Sequence, residues 1–162
     1  VMVEVPAAVY LAGQLAERVD FLSVGSNDLT QYILAVDRNN PSVAELYEAY
    51  HPAVLQALSQ VAKAGLQAGK PVSICGELAG DPGAAILLMA MGYDSLSMSA
   101  TNLPKVKSVL RGISQSEAQE LLSKVLDLCE IADIHAAIDD LLEAKGITRL
   151  FGERIKRRHL NS

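Results

Sequence analysis

The sequence lacks several features on which whole classes of protein depend. It contains no tryptophan, only two cysteines and 4% aromatic residues over 162 positions. Cys75 and Cys129 do not have CxxC spacing, which argues against a disulfide scaffold or a zinc site and is typical of a reducing cytoplasm. No apolar run reaches the roughly 20 residues that span a bilayer, and no leader pattern opens the chain. We therefore expect a cytoplasmic protein without a membrane segment.

An excess of positive charge is also missing. The formal net charge is -5, and no basic stripe occurs in the first 145 residues, so the sequence predicts no nucleic-acid partner. We interpret the basic run at 154–159 as a solvated end, because so short a run is common. With 50% hydrophobic and 20% charged residues the composition is that of a globular domain. Because the chain begins inside an apolar, strand-like run, we expect it to be a piece of a longer protein.

What is present is a regular alternation of strand and helix patterns. Short apolar runs at 1–5, 20–25, 71–75 and 95–98 are each followed by apolar residues at helical spacing. This order predicts an α/β fold with parallel strands and right-handed crossovers. After Gly112 the pattern changes to two amphipathic helices, the first opened by a capping box of Ser114 and Glu117. The sequence thus divides into four strand–helix units at 1–113 and a helical extension at 114–162.

The second strand pattern ends abruptly in polar residues. We predict that Gly25, Ser26, Asn27 and Asp28 form a turn, because glycine adopts unusual backbone angles and Asn and Asp bond to local amides. Asp28 would then project from the carboxyl end of a strand. The alternative is that Asn27 or Asp28 only caps the next helix, which is the commonest use of these residues.

Carboxylates that follow two neighbouring strands predict a metal site. Glu4 lies inside the apolar run MVEVP, where an unpaired charge is expensive to bury, so a cation or a cluster of donors should face it. Glu4 and Asp28 together offer two hard oxygen ligands, which suit Mg²⁺ when it keeps several waters and a substrate phosphate. The alternative is a structural ion pair.

Other polar residues lie at the ends of the third and fourth strands. Cys75 ends the third strand, where its thiol could donate or accept a proton. The alternative is a small buried hydrophobic residue, which is also the interpretation for Cys129. Ser97 or Ser99 follows the fourth strand. His51 precedes a proline and is interpreted as a hydrogen-bonding residue at a helix start rather than as a catalyst.

Four segments in a fixed order resemble the PEP-binding barrel of the PEP-utilising enzymes. Within that family they are most similar to the phosphoenolpyruvate-protein phosphotransferases, the enzyme I group of the phosphotransferase system, and lean toward its nitrogen-related branch. The resemblance covers about residues 1–111. The segments are MVEVPAA at 2–8, DFLSVGSNDLTQYILAVDR at 20–38, ICGELAGD at 74–81 and LSMS at 96–99.

The resemblance implies a fold and a set of roles. Residues 1–113 would be the last four βα units of a (β/α)₈ TIM barrel, followed by two or more appended helices. Glu4 and Asp28 would bind Mg²⁺. Asn27, Asp28 and Arg38 would contact phosphoenolpyruvate (PEP). Cys75 would protonate the methylene carbon of enolpyruvate as pyruvate forms.

The resemblance also implies partners for the longer protein. That protein would transfer the phosphoryl group of PEP to a histidine of its own and then to an HPr-like phosphocarrier protein, in sugar transport or nitrogen regulation. It would form a homodimer through the barrel. Two alternatives are a phosphotransferase of the pyruvate, phosphate dikinase or PEP synthase type, and a non-catalytic module that senses PEP or dimerises. We expect the 162 residues alone to be inactive, because the missing half barrel would supply part of the phosphate clamp.

Overall fold

The computed structural model describes residues 1–147, which form four strands and eight α-helices. The basic run predicted at 154–159 and the end of the extension predicted at 114–162 lie outside the described residues. Short 3₁₀ turns occur at Ala44–Leu46 and Leu78–Gly80. The strands are β1 Met2–Val3, β2 Leu22–Gly25, β3 Val72–Cys75 and β4 Ser95–Ser97, and the helices are α1 Pro6–Tyr10, α2 Ala12–Ala16, α3 Ser26–Leu34, α4 Pro52–Ala68, α5 Pro82–Met91, α6 Leu103–Gly112, α7 Gln115–Leu126 and α8 Ile131–Ala144.

The strands form one parallel sheet in the order β1-β2-β3-β4. Each strand is followed by helix before the next strand begins, as parallel neighbours require, because the chain must return to the starting edge of the sheet. The predicted α/β class with parallel strands is therefore confirmed.

The two faces of the sheet differ in composition. Val24, Val72 and Ile74 are at most 1% exposed and pack with the helices in the hydrophobic core. The opposite face carries two rows of residues that are paired across the strands and are, Gly25 excepted, half-buried or exposed. The first row is Met2, Ser23, Ser73 and Ser95, and the second is Gly25, Cys75 and Ser97, with Glu4 beside Gly25 directly after β1. The face without helices is therefore built mostly from small or polar side chains.

The junction of β2 and α3 differs from the turn that the sequence predicted. α3 begins at Ser26, directly after the last residue of β2, so Asn27 and Asp28 lie in the first helical turn. The Ser26 hydroxyl donates a 2.8 Å hydrogen bond to the carbonyl of Cys75 on β3. No side chain caps this helix start, so the alternative of a simple helix cap is wrong as well.

The extension packs on the outside of the helical layer. α7 lies against α5, where the Gln119 amide donates to the Ala90 carbonyl at 2.5 Å. The predicted capping box of Ser114 and Glu117 is present, and Lys145 after α8 forms a salt bridge with Glu117. These contacts tie the extension to the strand–helix units. Within residues 1–147 no helix combines the length and the apolar character needed to cross a membrane.

Candidate functional site

Predicted site residues from three strands meet in one row at the carboxyl end of the sheet. The register pairs Gly25 with Cys75 and Cys75 with Ser97. Glu4 follows Val3, which is paired with Val24, and a Cβ atom built at Gly25 would lie 3.1 Å from the Glu4 carboxylate oxygen Oε2. Glu4 therefore lies beside Gly25, and its carboxylate shares the helix-free face with the thiol of Cys75.

The two predicted metal ligands are half-buried carboxylates. Within residues 1–147 neither Glu4 nor Asp28 has a hydrogen bond or a salt bridge to its side chain. The predicted alternative, a structural ion pair at Glu4, therefore has no partner in this part of the chain. Asp28 lies in the first turn of α3, where the exposed amide ends of the helix favour a negative charge.

Asn27 connects the start of α3 to the loop that follows β3. Its side-chain oxygen accepts a hydrogen bond of 3.0 Å from the amide of Glu77. Gly76 has φ +112°, and a Cβ atom there would lie 2.8 Å from the Asn27 side-chain oxygen and closer still to the Ser26 hydroxyl. The left-handed backbone and the close approach both require glycine at this position.

Cys75 presents a free, half-buried thiol. Its Sγ donates to the Val24 carbonyl of the neighbouring strand at 3.5 Å, which is a weak contact for sulfur. The thiol is thus next to the carboxyl end of β2 and remains accessible from the open face. Cys129 is exposed, contrary to the interpretation of it as a buried hydrophobic residue.

Arg38 and Tyr47 belong to the segment that leaves α3 and lies over the first turn of the same helix. The exposed Arg38 has no salt bridge to a carboxylate among the residues described. The Tyr47 hydroxyl donates to the main-chain carbonyl of Asn27 at 3.3 Å. Burial raises the pKa of Tyr47 above its usual value; Thr30 and Arg38 oppose this change, and Glu77 and Asp28 add to it. Tyr47 is therefore a neutral hydrogen-bond donor near physiological pH.

A cleft of about 470 Å³ opens at the carboxyl ends of β3 and β4. Its walls include Asn27, Glu77, Ser97 and Ser99, so both serine candidates face it. A larger groove of about 600 Å³ lies among α1, α3 and α4, and contains none of the predicted site residues. Asn27 and the two serine candidates therefore favour the smaller cleft over the larger groove as part of the functional site.

Three residues that organise this region, namely Tyr47, Gly76 and Glu77, were not among the predicted site residues. Gly76 was visible as a glycine directly after a strand, which is a signal for unusual backbone angles. Tyr47 gave no signal, because its partner Asn27 is 20 residues away. The predicted role of His51 is confirmed, since its Nδ1 accepts a 3.1 Å hydrogen bond from the amide of Ala53 at the start of α4.

The donor set suits a metal that takes few ligands from the protein. No group of three or more His, Cys, Asp or Glu side chains within 1–147 could hold a metal ion. Two carboxylates without partners suit Mg²⁺, which keeps several waters and substrate oxygens, better than they suit Zn²⁺ or a Ca²⁺ cage.

Comparison with known proteins gives a family match over most of the chain. Residues 1–115 match the family model described as PEP-utilising enzyme, PEP-binding domain. A Salmonella typhimurium protein named phosphoenolpyruvate-dependent phosphotransferase system is 43% identical over 147 residues, which are 91% of this chain and 20% of that protein.

Two further relatives carry the name phosphoenolpyruvate-protein phosphotransferase. The one from Haemophilus influenzae is 45% identical over 88% of this chain and 25% of its own length. The one from Buchnera aphidicola subsp. Baizongia pistaciae is 48% identical over 78% of this chain and 22% of its own length. The chain thus spans about a fifth to a quarter of these relatives.

Proposed function

The chain belongs to the PEP-utilising enzymes, of which residues 1–115 form the PEP-binding domain, and on this premise we propose that it is part of a PEP-protein phosphotransferase. The longer protein that contains it, called the parent protein below, transfers the phosphoryl group of PEP to a histidine of its own and then to an HPr-like phosphocarrier. The observation that carries this proposal is that Glu4 and Asp28, two half-buried carboxylates that follow neighbouring strands, have no hydrogen bond or salt bridge within 1–147. The names of the relatives support it.

The four strands belong to a (β/α)₈ TIM barrel whose first half lies elsewhere in the parent protein. The helix-free face supports this, because a (β/α)₈ barrel carries its helices on the outside and leaves the inner face of its sheet without them. In such barrels the active site lies at the carboxyl ends of the strands. The chain alone is inactive, because half of the barrel and the phosphohistidine are absent from it. The parent protein dimerises through the barrel.

Mg²⁺ is the cofactor, with Glu4 and Asp28 as its protein ligands. Both carboxylates are half-buried and have no partner within 1–147, which supports a cation as the charge that balances them. When bound, the metal offsets negative charge on the phosphoryl oxygens. Arg38 and Asn27 contact the substrate beside it, since a guanidinium presents forked donors that suit a carboxylate or a phosphate.

Cys75 acts after the phosphoryl group has left PEP. In the transfer step the bond between phosphorus and the enolpyruvate oxygen breaks, and a bond from phosphorus to a histidine nitrogen forms. The enolate that remains takes a proton from the Cys75 thiol at its methylene carbon, which yields pyruvate and a thiolate that is reprotonated from solvent. The position of Cys75 on the open face, with only a weak contact to the Val24 carbonyl, supports this role.

The proposed roles separate in one experiment on the parent protein. Cys75→Ala should still permit phosphoryl transfer from PEP to the histidine, but should slow pyruvate formation by about 100-fold or more. Single-turnover measurements with labelled PEP and Mg²⁺ follow the two products separately, and Cys129→Ala is the matched control with wild-type rates. An equal loss in both steps would show that Cys75 is not the acid.

Nucleotide dependence distinguishes this function from the dikinase and PEP synthase reactions. We expect the parent protein to phosphorylate a carrier from PEP without ATP or AMP. A requirement for nucleotide would overturn the proposed function. Pyruvate release by the 162-residue chain with Mg²⁺ would contradict its proposed inactivity.

A further inference from the structure

The segment at 35–47, called the substrate segment below, starts on the last turn of α3. Ala35 has φ 53° and is the only non-glycine residue within 1–147 in the left-handed region, a conformation that costs roughly 1–2 kcal/mol for such a residue. The Gln31 carbonyl accepts from the Val36 amide at 3.0 Å, and the Gln31 side chain accepts from the Arg38 amide at 3.3 Å. The main chain before Arg38 is thus fixed to α3.

The same segment ends on the first turn of α3. Tyr47 reaches across to the Asn27 carbonyl through its hydroxyl, at 3.3 Å. The Thr30 hydroxyl is buried there; it has no partner of ordinary hydrogen-bond geometry in this part of the chain, although it lies near the Tyr47 hydroxyl. Both ends of the substrate segment therefore rest on one helix, and Arg38 lies between them.

Three charged side chains of the site interact electrostatically with Tyr47. Arg38 from the substrate segment, Asp28 from α3 and Glu77 from the loop after β3 all lie near enough to act on it electrostatically. Tyr47 therefore connects α3, which carries Asn27 and Asp28, to the substrate segment, which carries Arg38.

We propose that Tyr47 is a positioning residue whose hydroxyl docks the substrate segment on the start of α3 and thereby sets the distance of Arg38 from PEP. The inference rests on the proposed function, in which Arg38 binds the substrate. Tyr47 itself does not contact the reacting atoms. Its effect is on binding, because Arg38 contacts the substrate both before and during transfer.

Tyr47→Phe in the parent protein tests the inference, since it keeps the ring and removes only the hydroxyl. We expect KM for PEP to rise about five- to tenfold, the range of one lost hydrogen bond, with kcat within about twofold of wild type. Tyr32→Phe is the matched control, because Tyr32 is 56% exposed on the same helix and should leave both constants unchanged. An unchanged KM, or a fall in kcat alone, would overturn the inference.

A mutant cycle with Arg38→Lys tests whether Tyr47 acts through Arg38. The double variant should lose less than the product of the two single losses, by at least about threefold. Multiplicative losses would show that Tyr47 acts independently of Arg38. Ala35→Gly makes the main chain at the start of the substrate segment more flexible and removes the left-handed strain. This variant should raise KM for PEP without lowering the unfolding temperature.

Calorimetric titration of PEP with Mg²⁺ separates failure of the inference from failure of the proposed function. If the wild-type parent protein binds PEP but phosphorylates no carrier, the proposed function fails, and the ratio of the dissociation constants of wild type and Tyr47→Phe still decides the role of Tyr47. Equal dissociation constants would refute that role. If wild type binds no PEP, both fail.

Discussion

The two ends of the sheet use polar side chains in opposite ways. At the amino end the Asp94 carboxylate accepts from the Val72 amide at 2.8 Å, and the Asp94 amide donates to the Val72 carbonyl at 2.9 Å. At the carboxyl end Glu4 and Asp28 have no such partners within 1–147. A carboxylate that completes the hydrogen bonds of a strand stabilises the fold, whereas the two carboxylates without partners are the ones to which we assign a binding role. Mutations at the two ends should therefore separate stability from activity.

The largest expected effect is on activity at the carboxyl end. Glu4→Gln or Asp28→Asn in the parent protein should reduce Mg²⁺-dependent phosphoryl transfer by about 100-fold, because each removes the charge of a proposed metal ligand. The free energy of unfolding should change by less than about 1 kcal/mol, because neither side chain has a hydrogen bond or a salt bridge within 1–147 and only the favourable position of Asp28 at the helix start is lost. Activity titrated with Mg²⁺ and calorimetric unfolding measure the two effects.

The control for these variants is Glu17→Gln, an exposed carboxylate at the end of α2, which should change neither property. Wild-type Mg²⁺ dependence in Glu4→Gln would remove Glu4 from the metal site. A large loss of stability with little loss of activity would mean that the carboxyl end resembles the amino end after all.

The next largest effect is a loss of stability, and it shows whether the carboxyl end also contains structural residues. Gly76→Ala should destabilise the parent protein by about 2–4 kcal/mol, since it combines left-handed strain with a clash. The clash is with the Ser26 hydroxyl and with the Asn27 side-chain oxygen, which is 2.8 Å from the added Cβ. Gly69→Ala is the matched control, because Gly69 has φ +64° and open space around it, so only the strain of about 1–2 kcal/mol applies. Equal losses in denaturant unfolding would show that the Gly76 contact is not tight.

A smaller effect is expected at the amino end. Asp94→Ala should cost about 1–2 kcal/mol, because the Val72 amide loses its acceptor. Asp94→Asn keeps an acceptor oxygen and should recover most of this loss. Phosphoryl transfer at saturating PEP should be unchanged in both variants, and a fall in kcat in Asp94→Ala would break the division between the two ends.

The sequence predicted the elements whose signals are local. α4 and α5 have such local signals, because each begins with a side-chain cap and a proline and ends at a left-handed glycine. The family was also recognisable, because four motifs occur in a fixed order, and the family model confirms it. The roles of Glu4, Asn27, Asp28, Arg38 and Cys75 remain predictions.

The errors occurred where distant contacts decide the structure. α3 starts without a turn, and Ser26 bonds to the carbonyl of Cys75, 49 residues along the chain. Before α4 the chain forms only a three-residue 3₁₀ turn. Tyr47 then donates to Asn27, and the Tyr50 hydroxyl donates to Asp81 at 2.6 Å. Neither contact has a periodic signal in the sequence.

The smallest expected effect is on stability and concerns Glu117. Unlike Glu4, this carboxylate lies far from the site and has hydrogen-bond and salt-bridge partners. Its salt bridge with Lys145 and its hydrogen bonds from the Ser114 amide and hydroxyl lower the pKa of Glu117 to about 2. The pKa is lower in the folded state, so the stabilisation is present above the unfolded value near 4.5 and disappears as the pH falls toward 2. Glu117→Gln should therefore lower the unfolding temperature near neutral pH, and the difference from wild type should shrink steadily below about pH 4.5. Salt near 1 M should reduce the same difference, because it screens the exposed pair. A difference that is independent of both pH and salt would show that Glu117 acts through the neutral hydrogen bonds of its capping box alone.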